Sequence, residues 1–204
     1  MAISLLAKLQ GDGVNRSIRT RIGAGSTLSG STFTIVEQPG VRDDLWVFLP
    51  AVQSPRRLLA SNQGDAYFGS EFRYGDLIQI TPADYDVTSA GEQTIGGTPC
   101  WGIQLTPKSP ITERNTGLGK QLLWLGQHDA LERRVEQFDR SGTLFKIMDV
   151  GDWKPVTHDT WFPATRHIRN LESGGASHAA FSDIEATTTL SDLAFSPQHM
   201  TDPF

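Results

Sequence analysis

The stretch Leu45–Leu77, LWVFLPAVQSPRRLLASNQGDAYFGSEFRYGDL, decides how the rest of this chain is read. It opens on an apolar, ring-bearing run, Leu45, Trp46, Val47, Phe48 and Leu49, which Pro50 closes. Proline cannot donate to a sheet ladder, so this is a strand with a hard stop. Arg56 and Arg57 follow, then a Ser/Asn/Gly-rich passage, then the aromatic cluster Tyr67, Phe68, Phe72 and Tyr74. A loop this apolar is costly unless its rings pack onto something. Two roles fit equally: the rings close a core over one end of a sheet, or they form a lid over an apolar pocket.

Working outward, the punctuation is that of antiparallel strands. The chain has 20 Gly and 11 Pro, dispersed between short apolar runs. Gly11-Asp12-Gly13 separates Ile3–Gln10 from Val14–Ile22, and Pro39-Gly40 separates Thr32–Gln38 from Leu45–Leu49. Ser141-Gly142 separates Leu131–Phe138 from Thr143–Val150, and Ser173-Gly174-Gly175 separates Phe162–Asn170 from Ser177–Ala186. Runs of matched length around turn residues predict hairpins. In Cys100–Leu105, Trp101, Ile103 and Leu105 alternate with Cys100, Gly102 and Gln104, the period of a strand. Leu131–Phe138 alternates imperfectly, which predicts a bulge or a solvated face. Thr143–Val150 carries apolar groups on both faces, as expected of a strand buried twice or lining a cavity.

Helical signals are short. Thr81-Pro82-Ala83-Asp84 predicts a turn or two with Thr81 as N-cap, and Ser191–Phe195 before Pro197 predicts another single turn. The expected class is mainly β: a strongly curved antiparallel sheet, a sandwich or a barrel with a few helical plugs. At 204 residues the chain fits a single domain over 1–204 with enough core to need no metal or disulfide. Residues 1–15 read as a trimmed or replaced start and 198–204 as a frayed tail.

Charge and motifs narrow the function classes. With 18 Lys+Arg against 23 Asp+Glu the formal net charge is −5, which argues against bulk attraction to nucleic acid or anionic membrane. The single Cys100 excludes an internal disulfide and, between Pro99 and Trp101, reads as a small core residue. No run reaches the ~20 apolar residues of a membrane span. Met1–Gln10 lacks the basic start and cleavage site of a signal peptide. The five histidines, His128, His158, His167, His178 and His199, show no metal-ligand spacing; His158 sits in the turn-like Thr157–Thr160. Neither a nucleophile elbow nor a phosphate loop is present, so no catalytic, cofactor or metal residues are assigned.

Several of these segments, in order, resemble the LolA-like outer-membrane lipoprotein-sorting family. They are Asp44–Ala51 (DLWVFLPA), Arg56-Arg57, Phe68–Leu77 (FGSEFRYGDL), Gly96–Lys108 (GGTPCWGIQLTPK), Leu122–Leu125 (LLWL), Val135–Leu144 (VEQFDRSGTL), Trp161-Phe162-Pro163, Ser182-Asp183-Ile184 and Phe195-Ser196-Pro197. The resemblance spans about residues 18–200. It implies a strongly curved antiparallel half-barrel with short helices plugging its concave side, a periplasmic location, and an apolar cavity for lipid or lipoprotein acyl chains. It further implies partnership with an RND-type inner-membrane transporter. Family members carry more residues before the equivalent of Arg16–Ile22 than the fifteen found here. On this resemblance the ligand-binding residues expected are Trp46, Phe48, Arg56, Arg57, Tyr67, Phe68, Phe72, Tyr74, Trp101, Ile103 and Trp124. Arg56 and Arg57 would meet a headgroup phosphate or carboxylate, or else pair with Asp65 or Asp76. An enzyme using the same cavity, and a module that binds another protein, are the alternatives.

Overall fold

A computed structural model describes residues 1–12, 15–38, 43–158, 160–186 and 189–203. The chain divides into two units, one of residues 1–62, 76–79 and 187–204, the other of residues 63–75 and 80–186. Each unit is organised on its own antiparallel sheet in which every strand pairs only with its neighbours in sequence.

The first unit holds β1 (Ile3–Leu9), β2 (Arg16–Ile22), β3 (Thr32–Val36), β4 (Asp44–Leu49) and β5 (Ser54–Arg57), in that order. Register places Ile18 opposite Ile35, Ile35 opposite Leu45, and Phe33 opposite Val47, so one face carries a buried aliphatic and aromatic core. The opposite face carries Arg19, Thr32, Thr34, Trp46 and Phe48. The turns expected at Gly13 and at Pro39-Gly40 lie outside the described residues, but the strands they were expected to join pair as hairpins.

The second face of this sheet is covered by the chain's C-terminal segment. Arg19, 1% exposed, donates to the carbonyls of Ala194 (3.2 Å) and Met200 (3.3 Å) and to that of Asp202. Arg21 donates to Thr201 O (3.1 Å) and Asp202 O (2.9 Å), and the Thr32 hydroxyl to Met200 O (2.9 Å). At the edge, Lys8 Nζ donates to Leu190 O (3.0 Å) and pairs with Asp192 (2.6 Å). Phe195 and Met200 are buried, so the tail expected to fray from Gln198 is instead held through Asp202. Its carbonyls accept from both terminal nitrogens of the buried guanidinium. The 3-10 turn Asp192–Phe195 is capped by Ser191, whose hydroxyl accepts from Leu193 N (3.3 Å), where the sequence placed a turn.

The second unit holds seven strands, β6 (Tyr85–Ile95), β7 (Thr98–Pro107), β8 (Lys120–Gly126), β9 (Glu132–Phe138), β10 (Leu144–Pro155), β11 (Trp161–Asn170) and β12 (Ala176–Ala180). The hairpins expected at Ser141-Gly142 and Ser173–Gly175 join β9 to β10 and β11 to β12. The imperfect alternation of Leu131–Phe138 has its cause in a bulge: Trp124 faces Arg134 but Leu125 faces Glu132, leaving Arg133 as the extra residue. A second bulge lies at Phe145, and past it β10 alternates regularly with Met148 and Val150 on one face and Ile147 on the other.

Two helical expectations are amended. Thr81 does not cap through its side chain, and Pro82–Asp84 makes only a 3-10 turn before β6. A two-turn helix, α1 (Pro110–Thr116), was not anticipated. Its signals are local: the Ser109 hydroxyl accepts from Thr112 N (3.1 Å), Pro110 occupies the first turn, and Gly117 ends it at φ 72°.

Candidate functional site: an apolar sheet face

The seven-stranded sheet has two chemically different faces, set by register. Trp101 lies opposite Leu125, Ile103 opposite Leu123 and Leu105 opposite Gln121, while Gly102 lies opposite Trp124 and Cys100 opposite Gly126. Trp101, Ile103 and Leu105 therefore share a face, as the alternation predicted, and Trp124 is on the other one.

The Trp101 face is built of cross-strand rows. A polar row runs Leu105, Gln121, Gln137, Lys146, Asn170. The next is wholly apolar over five strands: Ile103, Leu123, Val135, Met148, Ile168. A third carries Trp101, Leu125 and Glu132 on β7–β9 and Val150 and Arg166 on β10–β11. Burial is graded along these rows. Val135, Met148, Val150 and Ile168 are buried, Ile103, Leu123 and Leu125 half-buried, and Trp101 and Val87 are 48% and 53% exposed. Val87 joins this face by lying opposite Leu105. The open end is thus a strip of indole and branched aliphatic groups, a surface that gains by covering.

At the β10–β12 end, residues 63–75 of the same unit dock. Glu71 accepts from Asn170 Nδ2 (2.8 Å) and Ser173 Oγ (3.3 Å), and its own N–H donates to Ser177 Oγ (3.0 Å). The Arg73 guanidinium lies 4.6 Å from the centre of the Phe145 ring. Tyr67 meets Phe68 (4.7 Å) and Tyr74 (5.6 Å) edge-on, and Phe68 meets Tyr74 at 6.3 Å. Tyr67, Phe72 and Tyr74 are buried, and burial raises the Tyr74 phenol above its ordinary pKa. These rings seal core in this unit.

The remaining expected residues fall into separate places. Trp46 lies opposite Arg57 and Phe48 opposite Pro55 on the five-stranded sheet, both half-buried. Arg57 pairs with Asp44 rather than with Asp65 or Asp76. Arg56 lies opposite Val47 and so belongs to the other face. Trp124 packs with Ile95 and Cys100 in a buried cluster flanked by Leu122, which is where the core role read for Cys100 is realised. Sequence reasoning missed Val87, Leu123 and Leu125. The alternation Leu123-Trp124-Leu125 was visible, but which member faces Trp101 is decided by pairing alone.

It also missed Glu132. Burial among apolar neighbours lifts its carboxyl above the ordinary value of 4.5, and the Arg166 guanidinium acts against that shift. A carboxyl that holds its proton more tightly folded than unfolded loses stability as pH rises from the unfolded value through the raised one. Glu132→Gln is therefore expected to raise the denaturation midpoint at pH 7 and to leave it unchanged below pH 4, where wild type is also neutral. A lower midpoint at pH 7 would show that pairing with Arg166 outweighs burial.

Among the described residues of this unit, two of the clefts lie outside the expected set. One of about 470 Å³ is lined by Asp129, Leu131, Arg133, Gly151, Asp152, Trp153 and Trp161. The other, about 330 Å³, is lined by Ile95, Gly96, Thr98, Arg133, Arg134, Asp149 and Val150. No helix among the described residues is long and apolar enough to cross a membrane.

Known proteins share this architecture. A family model described as "Uncharacterized protein" matches residues 19–202. Among solved structures, the chain is similar to a Vibrio parahaemolyticus protein described as an outer membrane lipoprotein-sorting protein domain, with a TM-score of 0.89 at 24% identity over 98% of this chain and 83% of that one. It is similar to a DUF1329 family protein from Desulfovibrio piger, TM-score 0.85 at 20% identity over 96% of this chain and 82% of that one. It also resembles a LolA superfamily protein from Nitrosomonas europaea, TM-score 0.60 at 20% identity over 97% and 89% of the two chains. No curated protein matches the sequence. The LolA-like fold expected from the sequence motifs is thereby shown: mainly β, two open antiparallel sheets and a few short helices.

Proposed function

We propose that this chain, which belongs to the family whose model spans residues 19–202, is a periplasmic binding or carrier protein for an amphiphile, a lipid or a lipoprotein acyl chain. The observation that carries the proposal is the graded Trp101 face, where an uninterrupted apolar row ends at half-buried Ile103 and the rows on either side of it carry the half-exposed Trp101 and Val87. An acyl chain laid along Trp101, Ile103 and Leu123 contributes about 0.8 kcal/mol per buried methylene, so a dozen suffice for useful affinity without any catalytic group. Trp46 and Phe48, with Arg57 on their face, are proposed as a second contact region on the first unit, and Arg56, on the opposite face, as a separate headgroup contact. The whole of residues 1–204 is taken to act as one functional domain, and an RND-type inner-membrane transporter as its partner in transfer. The sorting and LolA descriptions of the similar structures support the class of cargo, which goes beyond the fold they share with this chain.

The test is native mass spectrometry of the intact protein with organic extraction. An amphiphile should travel with wild type and be lost with Leu123→Glu, which buries a charge in the apolar row; affinity for a fluorescent fatty acid should fall at least about tenfold. Wild type that carries nothing and does not bind the probe would refute the proposal. One observation favours an enzyme instead: Glu132, with its raised pKa, lies on the same face near Arg166. That reading requires turnover of a bound amphiphile that Glu132→Gln abolishes while binding persists.

A further inference from the structure

The larger cleft lies on the sheet face opposite Trp101 and is unused by the carrier proposal. Register assembles it. Gly151 lies opposite Thr165, Trp153 opposite Pro163 and Pro155 opposite Trp161, so Gly151, Trp153 and Trp161 project from the same side of β10 and β11. Gly151 leaves the gap between the larger groups; a Cβ there would come within 3.3 Å of Thr165 Oγ1. The β8–β9 turn forms the other wall. Arg133 pairs with Asp129 (2.5 Å) and donates to Leu131 O (3.0 Å), which fixes both charges to each other.

Two features mark this place as more than a surface groove. The indole of Trp153 is held by its Nε1–H donating to Glu132 O (3.0 Å), while Trp161, on the neighbouring strand, is 47% exposed. Immediately before Trp153 on β10, Asp152 sits in the left-handed region at φ 49° and lines the cleft. A non-glycine residue there costs about 1–2 kcal/mol, a cost that recurs where a side chain is aimed at a ligand. With Asp129 and Arg133 cancelling, the lining carries one net negative charge, on Asp152, beside two indoles. Indole faces attract cations, and a carboxylate supplies the counter-charge.

We propose that this cleft binds an organic ammonium group, free or as a lipid headgroup, between Trp153 and Trp161 with Asp152 as counter-ion. Its volume, about 470 Å³, is in the range of small-ligand sites. A neutral sugar could stack on indoles too, but it would leave the net charge of the lining unanswered.

The test titrates the intact protein with choline chloride at constant ionic strength while following the indole N–H resonances by NMR. Trp161 and Trp153 should shift and saturate in the millimolar range. Asp152→Asn, which keeps the left-handed backbone accessible, should weaken binding about fivefold, and Trp161→Leu about tenfold. Asp152→Gly relieves the backbone strain, so it should bind as weakly as Asp152→Asn while melting no lower than wild type. Two further arms separate the sources: saturation by choline alone assigns a free ammonium, and tighter, Asp152-dependent binding of monomeric dihexanoylphosphatidylcholine assigns a headgroup. The proposal is overturned if neither ligand shifts the indoles, or if Asp152→Asn leaves the affinity unchanged. Equal binding of choline's neutral isostere, with tert-butyl in place of trimethylammonium, overturns it as well, as does binding of a glucoside in place of choline.

Discussion

Replacing Arg19 by methionine is expected to destabilise the first unit by about 3 kcal/mol and to release the C-terminal segment to proteases. The substitution keeps the bulk of the stem but removes the donors that serve Ala194 O, Met200 O and Asp202 O. Met200 O keeps the Thr32 hydroxyl and Asp202 O keeps Arg21, but Ala194 O loses the Arg19 donor, and a carbonyl so deprived costs about 1–3 kcal/mol unless the segment lifts away and takes water instead. Either way Phe195 and Met200 lose their burial or their anchor. Burial of the cation pulls the Arg19 pKa down, and the nearby Arg21 adds to this, so the site tolerates the charge because acceptors surround it. Arg19→Lys keeps charge without the planar fork and should fall between wild type and methionine. Limited proteolysis and urea denaturation read both effects. An unchanged midpoint with an uncut C-terminus would mean that Phe195 and Met200 alone hold the segment.

The second large effect is expected at Gly102. On β-propensity alone, valine in the middle of a strand should stabilise. Here a Cβ would stand 2.7 Å from Trp124 Cζ3, 3.0 Å from its Cη2 and 3.0 Å from the Ala90 Cβ, so the indole lies directly on the glycine. Gly102→Val must therefore push Trp124 out of its cluster with Ile95 and Cys100, at about 3 kcal/mol, the upper part of the usual cost of overpacking. Three signals should move together: a lower thermal midpoint, red-shifted tryptophan emission and faster thiol labelling of Cys100, buried in wild type. A gain in stability would show that the sheet can open at this point and that propensity prevails.

Strand identity was legible because it is written locally. Turn residues between runs of matched length marked the hairpins, and period-two alternation assigned Trp101, Ile103 and Leu105 to one face before any pairing was known. Short helices were less legible. Pro110–Thr116 has a cap at each end, yet seven residues are too few for a 3.6-residue period to rise above chance.

The candidate site was legible in composition and not in arrangement. The Asp44–Leu77 stretch pointed to rings that needed covering, and it supplied the strongest part of the LolA-like resemblance that the fold then showed. Its two halves belong to different units, so Trp46 and Phe48 were grouped with Tyr67–Tyr74 on nearness in sequence alone.

What the sequence determined by itself is the mainly β class, the hairpin order and the alternation within each strand, since all three follow from contacts a few residues apart. Tertiary structure alone decided that Trp124 turns away from Trp101, that Leu123 and Leu125 complete the apolar rows, and that Arg19 is met by carbonyls about 180 residues later. Register is the physical reason. A one-residue offset between paired strands reverses the face of every side chain, and bulges such as Arg133 and Phe145 set that offset. They are fixed by packing across the sheet, which no single strand encodes.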